Sequence, residues 1–169
     1  TDDKKASVFF EIKKRANQIV LKRRAKVPRE IAQSFLAGDP VPSLCPAFEE
    51  FRESCQKLDA CPTLRVRYER EAYEARDGSP LRLTIDHDVM HAISAGPDLA
   101  VGGAGWARTP TKGAIFEVKF TDRAPAWVAQ MVRTLGLERT SIPKYALSLE
   151  QVFASKGHAP WSRSIGRRS

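Results

Sequence analysis

Several stretches of this chain alternate, residue by residue, between apolar and charged side chains. That period of two restricts them to β-strands with one apolar and one charged face. In Ser7–Lys13 the residues Val8, Phe10 and Ile12 fall on one side, with Phe9, Glu11 and Lys13 on the other. Ile19–Lys26 repeats the pattern, setting Val20, Lys22 and Arg24 against Ile19, Leu21 and Arg23; with Arg15–Gln18 as the turn, the two make a basic hairpin. Leu64–Glu74 and Leu81–Asp88 flank the turn sequence Arg76-Asp77-Gly78-Ser79-Pro80 and form a second hairpin. Leu81, Leu83 and Ile85 oppose Arg82, Thr84 and Asp86 in its second strand, and simple alternation groups Arg70 with Leu64, Val66 and Tyr68 on the apolar side of its first. A further strand, Ile115–Phe120, sets Phe116, Val118 and Phe120 opposite Glu117 and Lys119.

Other segments carry helical spacing. Pro28 opens a helix over Arg29–Ala37, which Gly38-Asp39-Pro40 closes, and a second runs from about Pro46 to Leu58. Pro125–Leu135 has apolar positions at helical spacing and stops at Gly136, and a last helix runs from near Pro143 to about Ser155. Trp127 reads as a core-facing residue of the third helix. The Gly-rich stretch from Gly96 to Gly105 reads as a loop with no phosphate-binding meaning, because no strand-to-helix pattern brackets it. Runs of strands with segregated helices define an α+β chain: one domain over residues 1–155, then a basic flexible tail over 156–169.

With 28 Lys and Arg against 20 Asp and Glu, the chain has a net charge of +8, which favours a polyanionic partner. Nucleic acid, acidic headgroups and polyphosphate all satisfy that charge. RNA- or DNA-binding signatures are missing and the cations come paired with carboxylates, so nucleic acid is not the expected partner. The three cysteines, Cys45, Cys55 and Cys61, match no zinc spacing and read as reduced thiols of a cytoplasmic protein. His87 and His91 flank Asp88 at what reads as a strand end, where solvated polar residues are expected and not a metal site.

The charged faces share one composition: Lys or Arg with an occasional carboxylate, as in Glu11 with Lys13, Lys22 with Arg24, Arg82 with Asp86 and Glu117 with Lys119. In an open sheet such faces are solvated. In a sheet closed on itself they line the interior, where like charges repel unless a polyanion or a metal compensates them.

Six segments in this order resemble the vacuolar transporter chaperone (VTC) domain, the polyphosphate polymerase branch of the CYTH or triphosphate tunnel metalloenzymes. They are Phe-Phe-Glu-Ile-Lys at 9–13, Leu-Lys-Arg-Arg at 21–24, Val-Arg-Tyr-Glu-Arg-Glu-Ala-Tyr at 66–73, Leu-Arg-Leu-Thr-Ile-Asp at 81–86, Phe-Glu-Val-Lys-Phe at 116–120 and Pro-Lys-Tyr at 143–145. The resemblance implies an antiparallel β-tunnel, or barrel, flanked by helices, with ATP and polyphosphate as partners and Mn2+ or Mg2+ as the divalent metal. It implies phosphate-binding roles for Lys13, Lys22, Arg24, Arg70, Arg82, Lys119 and Lys144, with Lys144 capping the tunnel. Glu117 is implied as the metal ligand, and Lys13, Arg70, Arg82 and Glu117 as the catalytic set. The implied reaction moves the γ-phosphoryl group of ATP onto a polyphosphate chain. Such transfer asks a protein mainly for positioning and charge neutralisation.

The family's first strands would precede Thr1, so the chain is expected to be an incomplete tunnel with exposed sheet edges. Ser141 stands where some members carry a second lysine. Two other functions suit the same residues: an inorganic triphosphatase, with water replacing the polymer end, and a non-catalytic binder of polyphosphate or inositol phosphate. The sequence does not state an oligomeric state or a membrane-protein partner.

Overall fold

The first hairpin forms where alternation places it. β1 (Val8–Ala16) and β2 (Ile19–Val27) pair antiparallel in a register running from Val8 opposite Val27 to Ala16 opposite Ile19. The computed structural model of the chain describes residues 7–16, 19–94, 96 and 99–155. The expected basic tail, Trp161 and His158 lie outside the described residues, as do Asn17 and Gln18 of the expected turn.

The chain divides into two compact units. The first takes in the chain up to Thr63 together with Ile93–Ala104. After the hairpin come α1 (Arg29–Ala37) and α2 (Pro46–Leu58). Pro28 precedes α1, and Gly38 ends it in the left-handed conformation at φ 87°, which costs a residue without Cβ little. Pro46 opens α2, and Asp59 closes it at φ 47°. The apolar hairpin face supplies Phe10, Ala25 and Val27 to a core that Ala32 and Phe48 complete from the helices. Four aromatic rings knit the layers together: Phe10 stacks on Phe51 at 4.7 Å and on Phe48 at 5.8 Å, and Phe35 meets Phe48 edge-on at 5.5 Å. Cys45 packs against this core, and burial pushes the half-buried Cys55 thiol up; all three cysteines are free. Gly96–Gly105 holds neither helix nor strand among its described residues, as its composition implies.

The second unit takes in Leu64–Ala92 and the chain from Gly105 on. Its central strand is β4 (Arg82–Ile93), with β3 (Leu64–Glu74) along one edge. Two short strands share the other edge: β6 (Ile115–Lys119) pairs with Arg82–Asp86, and β5 (Ala107–Arg108) with Met90 and His91. Two helices follow, α3 (Ala126–Thr134) and α4 (Lys144–Ser155). Val128 is the buried residue of α3, whereas Trp127, expected to face the core, is 49% exposed. Helical phase decides this: neighbouring residues are rotated by about 100°, and Val128 takes the inward position. Among the described residues neither sheet closes on itself.

Two features of β4 depart from simple alternation. The strand continues five residues past Asp88, to Ile93, through a residue at φ 50°. Before Asp88 the fully buried positions are Thr84 and Asp86; after it they include Val89 and His91, so the inward set changes parity as it does at a bulge. His91, expected to be solvated, is buried, and its Nδ1 lies 2.9 Å from Thr109 Oγ1, which in turn lies 2.7 Å from Ser148 Oγ. Burial falls on the polar side of the strand. Thr84 and Asp86, on the charged side, are 2% and 0% exposed, while Leu83 and Ile85 are only half-buried. The reason is α4: Lys144 and Ser148, one helical turn apart on one face of it, both bond down onto this polar side of the sheet. No helix among the described residues is long and apolar enough to cross a membrane.

Candidate functional site

In the second unit two cations converge on one carboxylate. Asp86 Oδ1 accepts a 2.5 Å hydrogen bond from Arg70 Nε, and Oδ2 accepts bonds from Arg70 Nη2 at 2.7 Å and Lys144 Nζ at 2.6 Å. Burial alone would push the Asp86 carboxyl up, but the bonds from Arg70 and Lys144 outweigh it and hold the group below the usual carboxylate range. The hydrogen bond to Asp86 likewise holds the Arg70 guanidinium well above its ordinary value. The Tyr68 ring backs both cations, with the Arg70 guanidinium carbon 5.1 Å and Lys144 Nζ 4.9 Å from its centroid. Arg70 thus shares a side with Tyr68 as alternation groups them, but that side, expected to be apolar, is polar here because Asp86 and Lys144 face it.

On the other edge of β4 the register sets Glu117 directly across from Thr84, and Lys119 across from Arg82. Glu117 Oε2 lies 3.8 Å from Arg70 Nη2, and Glu117 Oε1 lies 3.3 Å from Lys119 Nζ. Arg82 and Lys119 are like charges facing each other across a ladder, an arrangement that costs stability without a counter-anion. Among the described residues no carboxylate pairs with Arg82. The Thr84 hydroxyl is buried with no partner among the described residues.

In the first unit, the charged face of the hairpin has its own centre. Glu11 Oε1 lies 3.2 Å from Lys13 Nζ, and Oε2 lies 2.8 Å from Lys22 Nζ and 2.7 Å from Arg24 Nη2. Lys13 and Lys22 are directly opposite in the register, as are Glu11 and Arg24, and the Arg24 guanidinium lies 5.0 Å over the Phe9 ring. Burial would raise the Glu11 carboxyl, but the three cations hold it at about 2. Lys14 and Arg23 project from the opposite face, where both meet Glu50 of α2.

Sequence reasoning named the cations as one tunnel set; the structure describes Lys13, Lys22 and Arg24 on the hairpin of the first unit, and Arg70, Arg82, Lys119 and Glu117 on the sheet of the second with Lys144 on α4. Sequence reasoning did not assign a site role to Asp86, Glu11, Tyr68 or Thr84. The available signal was the alternation itself, which sets Asp86 in mid-strand on the same side as Arg82. Among the described residues the cluster of three metal-type ligands is Glu69, His87 and Asp88, which does not include Glu117.

The resemblance implies a divalent metal at the Glu117 position, which lies between the cations Arg70 and Lys119. It offers one carboxylate, 41% exposed, beside the unpartnered Thr84 hydroxyl. Mg2+ and Mn2+ suit one or two carboxylates with the remaining positions taken by water and phosphate oxygens.

The protein is a mixed α+β chain whose sheet faces carry cations clustered around single carboxylates. A family model, the VTC domain, matches residues 1–153, nearly the whole chain, and the chain belongs to that family. Membership ties it to polyphosphate-related chemistry. No curated protein matches the chain.

Proposed function

We propose that this chain is a polyphosphate polymerase-type domain that transfers the γ-phosphoryl group of ATP to the end of a polyphosphate chain, with its strands forming part of a basic tunnel wall. The observation that carries the reading is the facing pair Arg82 and Lys119, of which Lys119 meets Glu117 while Arg82 has no carboxylate partner among the described residues. A run of phosphates supplies the missing negative charge.

In the reaction, a terminal oxygen of the polyphosphate chain attacks the γ-phosphorus of ATP. The bond from that phosphorus to the bridging oxygen breaks, and ADP leaves with the electron pair. Arg82 and Lys119 neutralise the equatorial oxygens, and Arg70 and Lys144 fix the register of the adjoining phosphates. On the hairpin, Lys13, Lys22 and Arg24 are further phosphate-binding cations, as point charges and a fork. Glu117 would hold the divalent metal, which when bound neutralises charge developing on the phosphates.

The test is to incubate the protein with ATP and Mn2+, resolve the products on a polyphosphate gel and run Glu117→Ala in parallel. A ladder of long chains that disappears in the variant is expected. Free phosphate without a ladder would make the domain a triphosphatase. Polyphosphate binding with no turnover would make it a binder.

A further inference from the structure

Asp86 is the one carboxylate described here that is fully buried, and it sits between two cations taken from different elements, Arg70 of β3 and Lys144 of α4. Its contacts are specific in their geometry. The Nε and Nη2 edge of the guanidinium is committed to Asp86, so Arg70 has mainly Nη1 left to offer a ligand. Lys144 commits one of its ammonium protons to Oδ2, which aims the other two away from the carboxylate. The pair's charge falls from two to one, and neither side chain swings freely. Without Asp86, both flexible cations could close on a phosphate together.

We propose that Asp86 is a positioning residue that restrains Arg70 and Lys144 and weakens their grip on phosphate, so that a polyanion is held in register yet released. This rests on the phosphate-handling reading above. A site that bound each phosphate as tightly as it could would retain the ground state and gain nothing in the transition state. A chain that must advance along the sheet needs cations that are fixed in place and only partly available.

The direct test is Asp86→Asn, which keeps the side-chain volume and removes the charge. Tripolyphosphate binding is measured by calorimetry without metal at several salt concentrations, alongside turnover of ATP with Mn2+. Affinity is expected to rise about threefold or more, since one compensating charge is lost at short range. The salt dependence steepens by about one on logarithmic axes, and turnover falls about tenfold or more as positioning is lost. A residue that merely stabilised the fold would lower affinity and turnover together, and that result overturns the proposal.

Should Asp86→Asn not fold, the wild-type chain supplies the answer through the Arg70 Nε–H signal, assigned with Arg70→Lys. Slow exchange of that proton both free and with tripolyphosphate supports the restraint. Loss of protection on binding means that Arg70 leaves Asp86 for the ligand, and overturns it. Wild type that binds no tripolyphosphate removes the functional reading and this proposal together, whereas wild type that binds while Asp86→Asn binds equally or more weakly removes this proposal alone.

Discussion

Lys144 Nζ lies 2.6 Å from the buried Oδ2 of Asp86, so the first residue of α4 is fastened to the middle of the central strand. One turn further along, Ser148 reaches Thr109 beside the same strand. The helix is held to a polar sheet face by charge and hydrogen bonds.

Removing that fastening has a cost. Lys144→Met leaves Asp86 buried with Arg70 as its remaining cation, and breaking one partner of a buried charged group is expected to cost about 2 kcal/mol. Urea denaturation should show a lower midpoint with an unchanged slope. An unaltered midpoint would mean that the pair contributes nothing to stability.

Stability should depend on pH near neutrality through His91. Burial holds its pKa below the ordinary 6.5, so the unfolded chain binds the proton more readily than the folded one. The stabilising contribution of neutral His91 is present above about 6.5 and is lost as pH falls from there through the depressed folded value. Melting temperature should therefore fall between pH 7.5 and 5.5, and His91→Gln should flatten the curve. His87, raised by its hydrogen bond to Asp88, has the opposite sign, but its half-buried side chain, 37% exposed, is screened by solvent. A steeper loss of stability in His91→Gln would contradict the assignment.

At lower pH the hairpin takes over. Glu11 titrates at about 2 in the folded chain, below its unfolded value, because Lys22, Arg24 and Lys13 outweigh the effect of burial. Its contribution is full above the unfolded value and is lost as pH drops toward about 2. Glu11→Gln should abolish that part of the acid transition while leaving the neutral-pH behaviour of His91 in place. Following amide signals of β1 and β2 during acid titration would check this residue by residue.

The aromatic core of the first unit sets a larger effect. Phe48 is fully buried between Phe10 and Phe35, and Phe48→Ala is expected to destabilise by about 3–5 kcal/mol. Thermal unfolding of that unit should shift accordingly, and Phe48→Leu should recover much of the loss. A variant melting with the wild type would show that these rings do not pack as described.

By itself the sequence determined the local elements and the inventory of charge. A period of two fixed which side chains share a face, so Glu11 with Lys13, Arg82 with Asp86, and Glu117 with Lys119 were legible as sets. Proline and glycine marked where α1 and α2 start or stop, because those residues act on their own backbone. Which face is buried was decided only by the fold. Alternation set Leu83 and Ile85 on one face and Thr84 and Asp86 on the other without deciding which is buried; α4, which lies far along the chain, brought Lys144 and Ser148 onto the polar face and buried Thr84 and Asp86. One left-handed residue, Asp88, then reversed the parity and carried His91 inward. Neither outcome is encoded in neighbouring residues: burial is a property of what packs against a strand, and that partner is chosen in three dimensions.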